Sequence, residues 1–211
     1  MSGSDRVPSQ AGTGTAHVVP LADDELAEVR DIVDLAHKFS GYVPTSFRIM
    51  ARKPALLRAF NGLITVVMRE PGEVPSESKW LIAHAVSASA GCRYCQAHTA
   101  ANSEKAGLAA GKIEALMAYE TSALYSLAER AVIGLALAAG RVPNEATRAH
   151  FDALRPHFSE GGIVEIVAVI SLFGWLNRWN DTLASDLEQS PLEFAKAHLG
   201  ASGWSPGKHS A

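Results

Sequence analysis

Two adjoining segments decide how this chain is expected to fold: VPSESKWLIAHAVSASAG at residues 74–91 and CRYCQAHTAANSEKAG at residues 92–107. The first segment has the Ala-rich composition of a helix and stops at Gly91, a residue that commonly ends helices. The second segment begins a new helix at once. We therefore predict two consecutive helices, with Cys92 and Cys95 at the start of the second one.

Helical spacing recurs along the rest of the chain. In DDELAEVRDIVDLAHKFSG, residues 23–41, apolar residues at Val29, Ile32, Val33 and Ala36 follow the i, i+3, i+4, i+7 pattern of one helix face. No segment shows the alternation of β-branched and aromatic residues between turn residues that is typical of a strand. The sequence therefore predicts an all-α chain of about nine helices.

A weak internal repeat bears on the architecture. The segment GEVPSE at residues 72–77 recurs as GRVPNE at residues 140–145, and Gly174 in a later segment falls where Gly91 falls in the first. This similarity favours a repeated helical unit in which only the first copy carries thiols. Chance similarity among Ala-rich helices is the alternative.

The composition favours one domain. The chain has 211 residues, of which 47% are hydrophobic, and this suffices for a sizeable core. We expect a single helical domain at residues 21–200, between a disordered N-terminal tail at residues 1–20, rich in Ser, Gly, Thr and Pro, and a C-terminal tail at residues 201–211.

The charge pattern and the N-terminus indicate which partners and compartment to expect. The net charge is −3, and Lys and Arg are scattered, so we expect neither nucleic acid nor an anionic membrane as a partner. No apolar run is long and uninterrupted enough to predict a membrane span. The first twenty residues lack the apolar core of an export signal, so we expect a cytoplasmic protein.

The two cysteines are the only ones in the chain, and a CxxC pair in the cytosol is typical of redox or metal chemistry. At a helix start, Cys92 and Cys95 meet unpaired N–H groups that favour a thiolate, and His98 follows Cys95 by about one turn. His84 precedes Cys92 by eight residues and follows Glu77 by seven, so these two share a helix face and could form a carboxylate and imidazole relay.

Each of these residues also has an alternative interpretation. Glu77 fits the first turn of a helix as an acid, and His84 could be a hydrogen-bonded core histidine. Cys92, Cys95 and His98 could hold zinc, but a structural zinc site usually has four ligands and no fourth follows at a suitable distance. We therefore expect no metal or other cofactor.

A longer stretch, AHAVSASAGCRYCQAHTA at residues 83–100, resembles the AhpD-like alkylhydroperoxidase branch of the carboxymuconolactone decarboxylase superfamily. The flanks GYVPTSFRIMARKPALLRAFNGL at residues 41–63, FGWLNRWNDTL at residues 173–183 and GWSPGKH at residues 203–209 resemble peroxidase-related members. The resemblance extends over residues 21–208. It implies an AhpD-like all-α fold built on a repeated unit, a CxxC that cycles between dithiol and disulfide, and a homo-oligomer (dimer, trimer or hexamer).

The sequence departs from the family pattern at the proton relay. The resemblance implies a Glu and a His that serve the thiols, with the His four residues after the second Cys, where Thr99 stands here and His98 comes one residue early. Trp80 occupies the place of the usual Glu. We therefore expect the relay to be formed by His84, Glu77 and His98.

The leading functional hypothesis is a thiol-dependent peroxidase of the peroxiredoxin type. One thiolate would attack a hydroperoxide and become a sulfenic acid, the other would resolve it as a disulfide, and an external dithiol or a thioredoxin-like reductant would reset the pair. The alternatives are a disulfide reductase that recharges a separate peroxiredoxin, and a non-enzymatic redox-sensing or metal-holding oligomer. Decarboxylation is disfavoured, because that branch typically lacks the CxxC.

The apolar stretch 163–176 should be buried on every side, which predicts self-association.

Overall fold

The computed structural model describes residues 14–210, which form an all-α fold without a β-strand, as predicted. The ten α-helices of this part of the chain are α1 (Arg30–Ser40), α2 (Thr45–Met50), α3 (Pro54–Ile64), α4 (Ser76–Ala90), α5 (Arg93–Lys105), α6 (Ala110–Glu114), α7 (Leu127–Ala139), α8 (Arg148–Leu154), α9 (Glu160–Leu183) and α10 (Gln189–Leu199). A π-helical turn, Thr65–Arg69, extends α3, and short 3₁₀ turns occupy Asp23–Val29, Leu116–Ala118, Gly200–Ser202 and Gly207–His209.

Helix α4 lies at the centre of the fold and packs against α5, α7 and α9. Its residues from Leu81 to Ser87 are all buried, and Ile82 and Ala83 have no exposed surface. The short Ala and Ser side chains let neighbouring helices approach from several sides, and each buried Leu or Ile contributes about 1.5–3 kcal/mol. The C-terminal end of α4 is therefore held firmly in the core.

Gly91 separates α4 from α5, as predicted. Its φ of +75° lies in the left-handed region, which glycine adopts without the steric penalty of a Cβ, and its N–H donates to the Ala88 carbonyl at 3.2 Å. Cys92 follows as the N-cap of α5. The predicted position of the CxxC at a helix start is confirmed.

The first amphipathic segment has the predicted buried face but begins differently. Val29, Ile32, Val33 and Ala36 are all buried. However, Asp23–Val29 is a 3₁₀ helix and only Arg30–Ser40 is α-helical. The side chain of Ala22, at the N-cap of the 3₁₀ helix, offers no capping oxygen.

The predicted second copy of the helical unit does not reproduce the break of the first. Gly91 ends a helix, whereas Gly174 lies inside α9. The physical difference lies in the next residue: the Cys92 sulfur accepts a hydrogen bond from the Cys95 N–H and caps a new helix, and Trp175 offers no such acceptor. The segment GRVPNE at residues 140–145, the predicted repeat of GEVPSE, lies in a loop that extends to residue 147.

Within the single chain, helix α9 is buried on most sides but keeps one apolar face exposed, and burial of this face by self-association stays a prediction. Val164, Val167 and Trp175 share one face of the helix and are 68%, 37% and 39% exposed in the single chain. By length and composition α9 could cross a membrane, but half of its most apolar window is buried inside the fold, as in an ordinary core helix.

Both ends of the described chain pack onto the domain. Residues 1–13 of the predicted N-terminal tail lie outside the described residues, as does residue 211. Within residues 14–20, the backbone N–H of Thr15 donates to Asp186 Oδ1 at 2.6 Å. In the predicted C-terminal tail, Trp204 and His209 are buried, and the His209 carbonyl accepts from the Leu187 N–H at 2.8 Å. The packed domain therefore extends past residues 21–200 at both ends.

Candidate redox site

The two thiols are held at the junction of α4 and α5. Cys92 and Cys95 are 1% and 3% exposed, and neither is in a disulfide. Cys92 Sγ accepts a hydrogen bond from the Cys95 backbone N–H at 3.5 Å, which is the capping interaction of α5. A sulfur in this position faces the positive end of the helix, where a thiolate is favoured.

The two cysteines differ in their protonation. Hydrogen bonding to the Cys95 thiol, with help from His209 and against the effect of burial, lowers the pKa of Cys92 below its usual value. Burial and the neighbouring Cys92 sulfur raise the pKa of Cys95 well above its usual value. The pair therefore favours a Cys92 thiolate beside a protonated Cys95 thiol.

A cavity of about 670 Å³ opens onto Cys95 and not onto Cys92. Apolar side chains form much of its wall, and the aromatic pair Trp80 and Phe173 meets edge to face at 5.9 Å between ring centroids. The polar residues that line it include Lys79, His98, Asn102, Lys105 and Asn180. A mainly apolar molecule could enter this cavity and reach Cys95.

Asn180 on α9 contacts the thiol at this cavity. Its Nδ2 donates to Cys95 Sγ at 3.5 Å and to the Leu176 carbonyl at 3.1 Å. Its Oδ1 is buried and has no hydrogen-bond partner in the described part of the chain. Hydrogen bonding by the Asn180 amide lowers the pKa of Cys95, although burial outweighs this effect.

His98 lines the same cavity and is held by a buried carboxylate. Its Nε2 donates to Glu188 Oε2 at 2.6 Å, and its Nδ1 lies 3.1 Å from the Tyr42 hydroxyl. Glu188 Oε1 also accepts from the Tyr94 hydroxyl at 3.1 Å and from the Thr45 N–H at 2.5 Å. Both ring nitrogens of His98 are therefore engaged, Nε2 by Glu188 and Nδ1 by Tyr42.

A second group of polar residues adjoins Cys92 and is separate from the cavity lining. The Cys92 sulfur, a ring nitrogen of His209 and a carboxylate oxygen of Asp181 all lie within 4.8 Å of one another. His209 is 1% exposed, and its Nδ1 lies 2.9 Å from the Ser185 carbonyl. Asp181 is partly exposed and pairs with Lys208 at 3.1 Å.

The comparisons with known proteins agree with this architecture. The family model of the carboxymuconolactone decarboxylase family matches residues 54–138, from the start of α3 to the end of α7. The crystal structure of the apo debrominase Bmp8 is 30% identical, covers 87% of this chain and 96% of its own, and superposes with a TM-score of 0.76. The chain belongs to the carboxymuconolactone decarboxylase family.

Further solved structures place it in the AhpD-like branch of the family. A cysteine-to-alanine variant of Bmp8 in complex with 2,3,4-tribromopyrrole is 29% identical, covers 88% of this chain and 97% of its own, and has a TM-score of 0.78. The alkylhydroperoxidase AhpD core of a peroxidase-related protein from Ralstonia eutropha JMP134 is 26% identical, covers 83% of this chain and 90% of its own, and has a TM-score of 0.65. No curated protein matches the chain significantly.

The structure of this family member brings together only some of the residues predicted for the site. Cys92, Cys95 and His98 lie within the first turns of α5, as expected. His84 is buried, and its Nδ1 lies 3.1 Å from the Thr99 hydroxyl, so the ring is engaged between α4 and α5. Burial lowers the pKa of His84 to about 4, which leaves it neutral at neutral pH.

Glu77 lies apart from the thiols. It is an exposed residue in the first turn of α4, and it lines a separate surface depression together with Leu108 and Lys112. Cys92 follows Glu77 by fifteen positions, which corresponds to about 20 Å along the helix direction. The structure therefore does not place Glu77 in a relay with the thiols or with His84.

Four polar residues at the site were absent from the predicted set, namely Asn180, Asp181, Glu188 and His209. Three of them stand in segments that resemble the family flanks, Asn180 and Asp181 in FGWLNRWNDTL and His209 in GWSPGKH. The family resemblance could therefore have pointed to them. Glu188 had no such signal, since it follows α9 in an ordinary polar loop.

Proposed function

We propose that this protein is a thiol-dependent peroxidase that reduces apolar organic hydroperoxides with the Cys92 and Cys95 pair. One observation carries the proposal: Cys95 opens onto the largely apolar cavity, and Cys92 lies behind it with its thiolate favoured. This arrangement suits Cys95 as the attacking residue and Cys92 as the resolving residue. The AhpD-like fold and the peroxidase-related neighbour support a peroxidase role at the level of the family.

The proposed chemistry balances with two thiols. Cys95 passes its proton to the Cys92 thiolate and attacks the terminal oxygen of the hydroperoxide, so that an S–O bond forms and the O–O bond breaks. The leaving alkoxide takes up a proton and departs as an alcohol, for which His98 at the cavity is the proposed donor. Cys92 then displaces water from the sulfenic acid and forms the disulfide. An external dithiol or a thioredoxin-like reductant supplies two electrons and two protons to reset the pair.

Single cysteine variants test the assignment. Cys92→Ser lacks the thiolate that accepts the Cys95 proton, so we expect it to accumulate a sulfenic acid on Cys95 when cumene hydroperoxide is added at alkaline pH, detected by dimedone labelling and mass spectrometry. Cys95→Ser should neither label nor consume the hydroperoxide in the presence of dithiothreitol. Labelling of Cys92 in Cys95→Ser, at the rate seen for Cys95 in the other variant, would reverse the two roles.

A second candidate function is the reductive removal of a halogen from an aromatic ring. A structural neighbour that matches this chain over 97% of its own length is a debrominase in complex with 2,3,4-tribromopyrrole. The cavity of the present protein has aromatic side chains in its wall, and Cys95 also lines it. The electron balance is the same: an aryl bromide and two thiols give the arene, bromide, a proton and the disulfide. The two substrates therefore compete for one dithiol.

Parallel assays separate the two candidates. Reduced protein is mixed with cumene hydroperoxide or with a polybrominated pyrrole, and disulfide formation and released bromide are measured. Faster oxidation by the hydroperoxide without bromide release from the pyrrole supports the peroxidase. Stoichiometric bromide release together with slow oxidation by the hydroperoxide would favour the dehalogenase instead.

A further inference from the structure

His209 occupies an unusual position for a residue so late in the chain. It lies in the 3₁₀ turn Gly207–His209, yet its side chain is 1% exposed and faces the redox site. The turn is anchored because the His209 carbonyl accepts from the Leu187 N–H at 2.8 Å. The ring also lies against Tyr94 of the CxxC segment, with centroids 5.9 Å apart.

The hydrogen bonds of the ring fix which nitrogen faces the thiol. Nδ1 lies 2.9 Å from the Ser185 carbonyl, and because a carbonyl can only accept, Nδ1 must carry the hydrogen. In the neutral ring Nε2 then has a free lone pair. Nε2 is buried, has no conventional hydrogen-bond partner in the described part of the chain and lies 3.6 Å from Asp181 Oδ1. A ring nitrogen of His209 lies within 4.8 Å of the Cys92 sulfur, and we assign this contact to Nε2 because Nδ1 is bound to Ser185.

We propose that His209 Nε2 accepts the proton of the Cys92 thiol, so that a segment about 110 residues away along the chain supplies the base for the CxxC pair. The S–H bond of Cys92 breaks, an N–H bond forms at Nε2, and no electrons are exchanged. The products are a thiolate and an imidazolium. The inference rests on the proposed function in one respect: it names the base that forms the Cys92 thiolate of the dithiol cycle.

The charges around the ring are consistent with this transfer. Asp181 of α9 faces the ring from one side with a negative charge, and its other oxygen pairs with Lys208 at 3.1 Å, which partly offsets that charge. Cys92, the N-cap of α5, faces the ring with its sulfur, and Tyr94 of α5 lies against it. Burial would lower the pKa of His209, but the Cys92 sulfur, the Ser185 carbonyl and Asp181 together raise it. The same contact lowers the pKa of Cys92.

We expect His84 and Glu77 to be unnecessary for activating Cys92. His84 Nδ1 is engaged with the Thr99 hydroxyl, and Glu77 stands in the first turn of α4, at the end away from Cys92. His98 is held by Glu188 and Tyr42 at the cavity. Of the histidines the structure describes, His209 is the one whose ring nitrogen lies within 4.8 Å of a thiol in a shared cluster.

The test is a thiolate titration of the full-length protein, which requires no substrate. In Cys95→Ser, where the serine hydroxyl still offers a donor to Cys92, the thiolate is followed by its absorbance near 240 nm as pH is raised. We expect His209→Gln in this background to move the midpoint upward by about one pH unit, which is tenfold less thiolate below the midpoint. His198→Gln is the matched control, because His198 pairs with Glu114 at the surface of α10. It should leave the midpoint in place.

A reciprocal measurement covers the case in which His209→Gln does not fold. The imidazole titration of His209, followed by NMR, should lose its raised midpoint in Cys92→Ser, because the thiolate no longer faces the ring. Unchanged midpoints in both experiments would overturn the proposal. Stoichiometric zinc in the purified parental protein that disappears in His209→Gln would also overturn it, since the cluster would then be a metal site. Neither titration uses a peroxide, so both can be interpreted even if the protein shows no peroxidase activity.

Discussion

Replacing Glu188 with glutamine removes the negative charge that holds His98, and the structure sets the size of the effect. The buried carboxylate accepts three hydrogen bonds, from His98 Nε2 at 2.6 Å, the Tyr94 hydroxyl at 3.1 Å and the Thr45 N–H at 2.5 Å. Glutamine keeps one acceptor oxygen for Thr45 and Tyr94 but turns an NH₂ group toward His98. The loss is one hydrogen bond to a charged group, so we expect Glu188→Gln to lower the free energy of unfolding at pH 7 by about 1.5–3 kcal/mol.

The pH dependence gives this prediction a second measure. Although burial opposes it, the interaction with His98 and the Thr45 N–H lower the pKa of Glu188 below its ordinary value of 4.5. A group whose pKa is lowered in the folded state contributes stability above the unfolded pKa and loses it as the pH falls through the folded pKa. Urea unfolding should therefore show a gap between parental protein and variant that is full at pH 7 and narrows between pH 5 and pH 3.

The exposed Glu193 on α10, the helix that begins directly after Glu188, is the control, and Glu193→Gln should change stability by no more than about 0.5 kcal/mol. A Glu188→Gln variant as stable as the parental protein at pH 7 would refute the reasoning. So would a gap that stays constant down to pH 3, because the carboxylate would then contribute nothing through its charge.

Four further outcomes are expected. Mild oxidation should remove two hydrogens per chain by forming a disulfide between Cys92 and Cys95, seen by mass spectrometry without reductant, whereas dimers linked between chains would contradict the proposed cycle. The exposed apolar face of α9 should support self-association, so light scattering should show at least a dimer that Val164→Glu converts to monomer. His84→Gln should leave the thiolate midpoint unchanged while lowering stability by about 1–3 kcal/mol, since it removes a buried hydrogen bond; a shifted midpoint would assign His84 to the relay after all. Gly91→Ala should cost about 1 kcal/mol in urea unfolding because φ there is +75°, and an unchanged stability would mean that the turn relaxes.

Local signals in the sequence predicted much of the fold. Gly91 ended a helix because a left-handed residue is needed there, and the apolar spacing at Val29 to Ala36 marked a buried face. These features depend on residues close in sequence. The predicted repeat around Gly174 was wrong about the helix break. Similar composition does not specify such a break, which here requires a sulfur that caps the next helix at the following position.

The candidate site was only partly predictable, for a related reason. Cys92, Cys95 and His98 are close in sequence, so their spacing could place them on one helix. The side chains that contact them from other elements come from residues 56 or more positions away, as with Tyr42, Asn180 and Glu188. Helix periodicity carries no information about such distances. Glu77 was assigned by periodicity along α4, which correctly gives a shared face but not the distance to the thiols.

The adjacent positions of Asn180 and Asp181 on α9 limit the insertions and deletions that this helix can accept. These neighbours on α9 reach the dithiol from two sides, Asn180 at Cys95 and Asp181 beside Cys92 and His209. Successive residues on an α-helix are rotated by about 100°. A single-residue insertion or deletion in α9 ahead of Asn180 would therefore displace both contacts in one step, whereas a substitution at either position removes only one of them. Related sequences should therefore have no insertions or deletions in this stretch of α9. Such changes should instead accumulate in loops such as residues 140–147, where they do not rotate helix residues away from their partners.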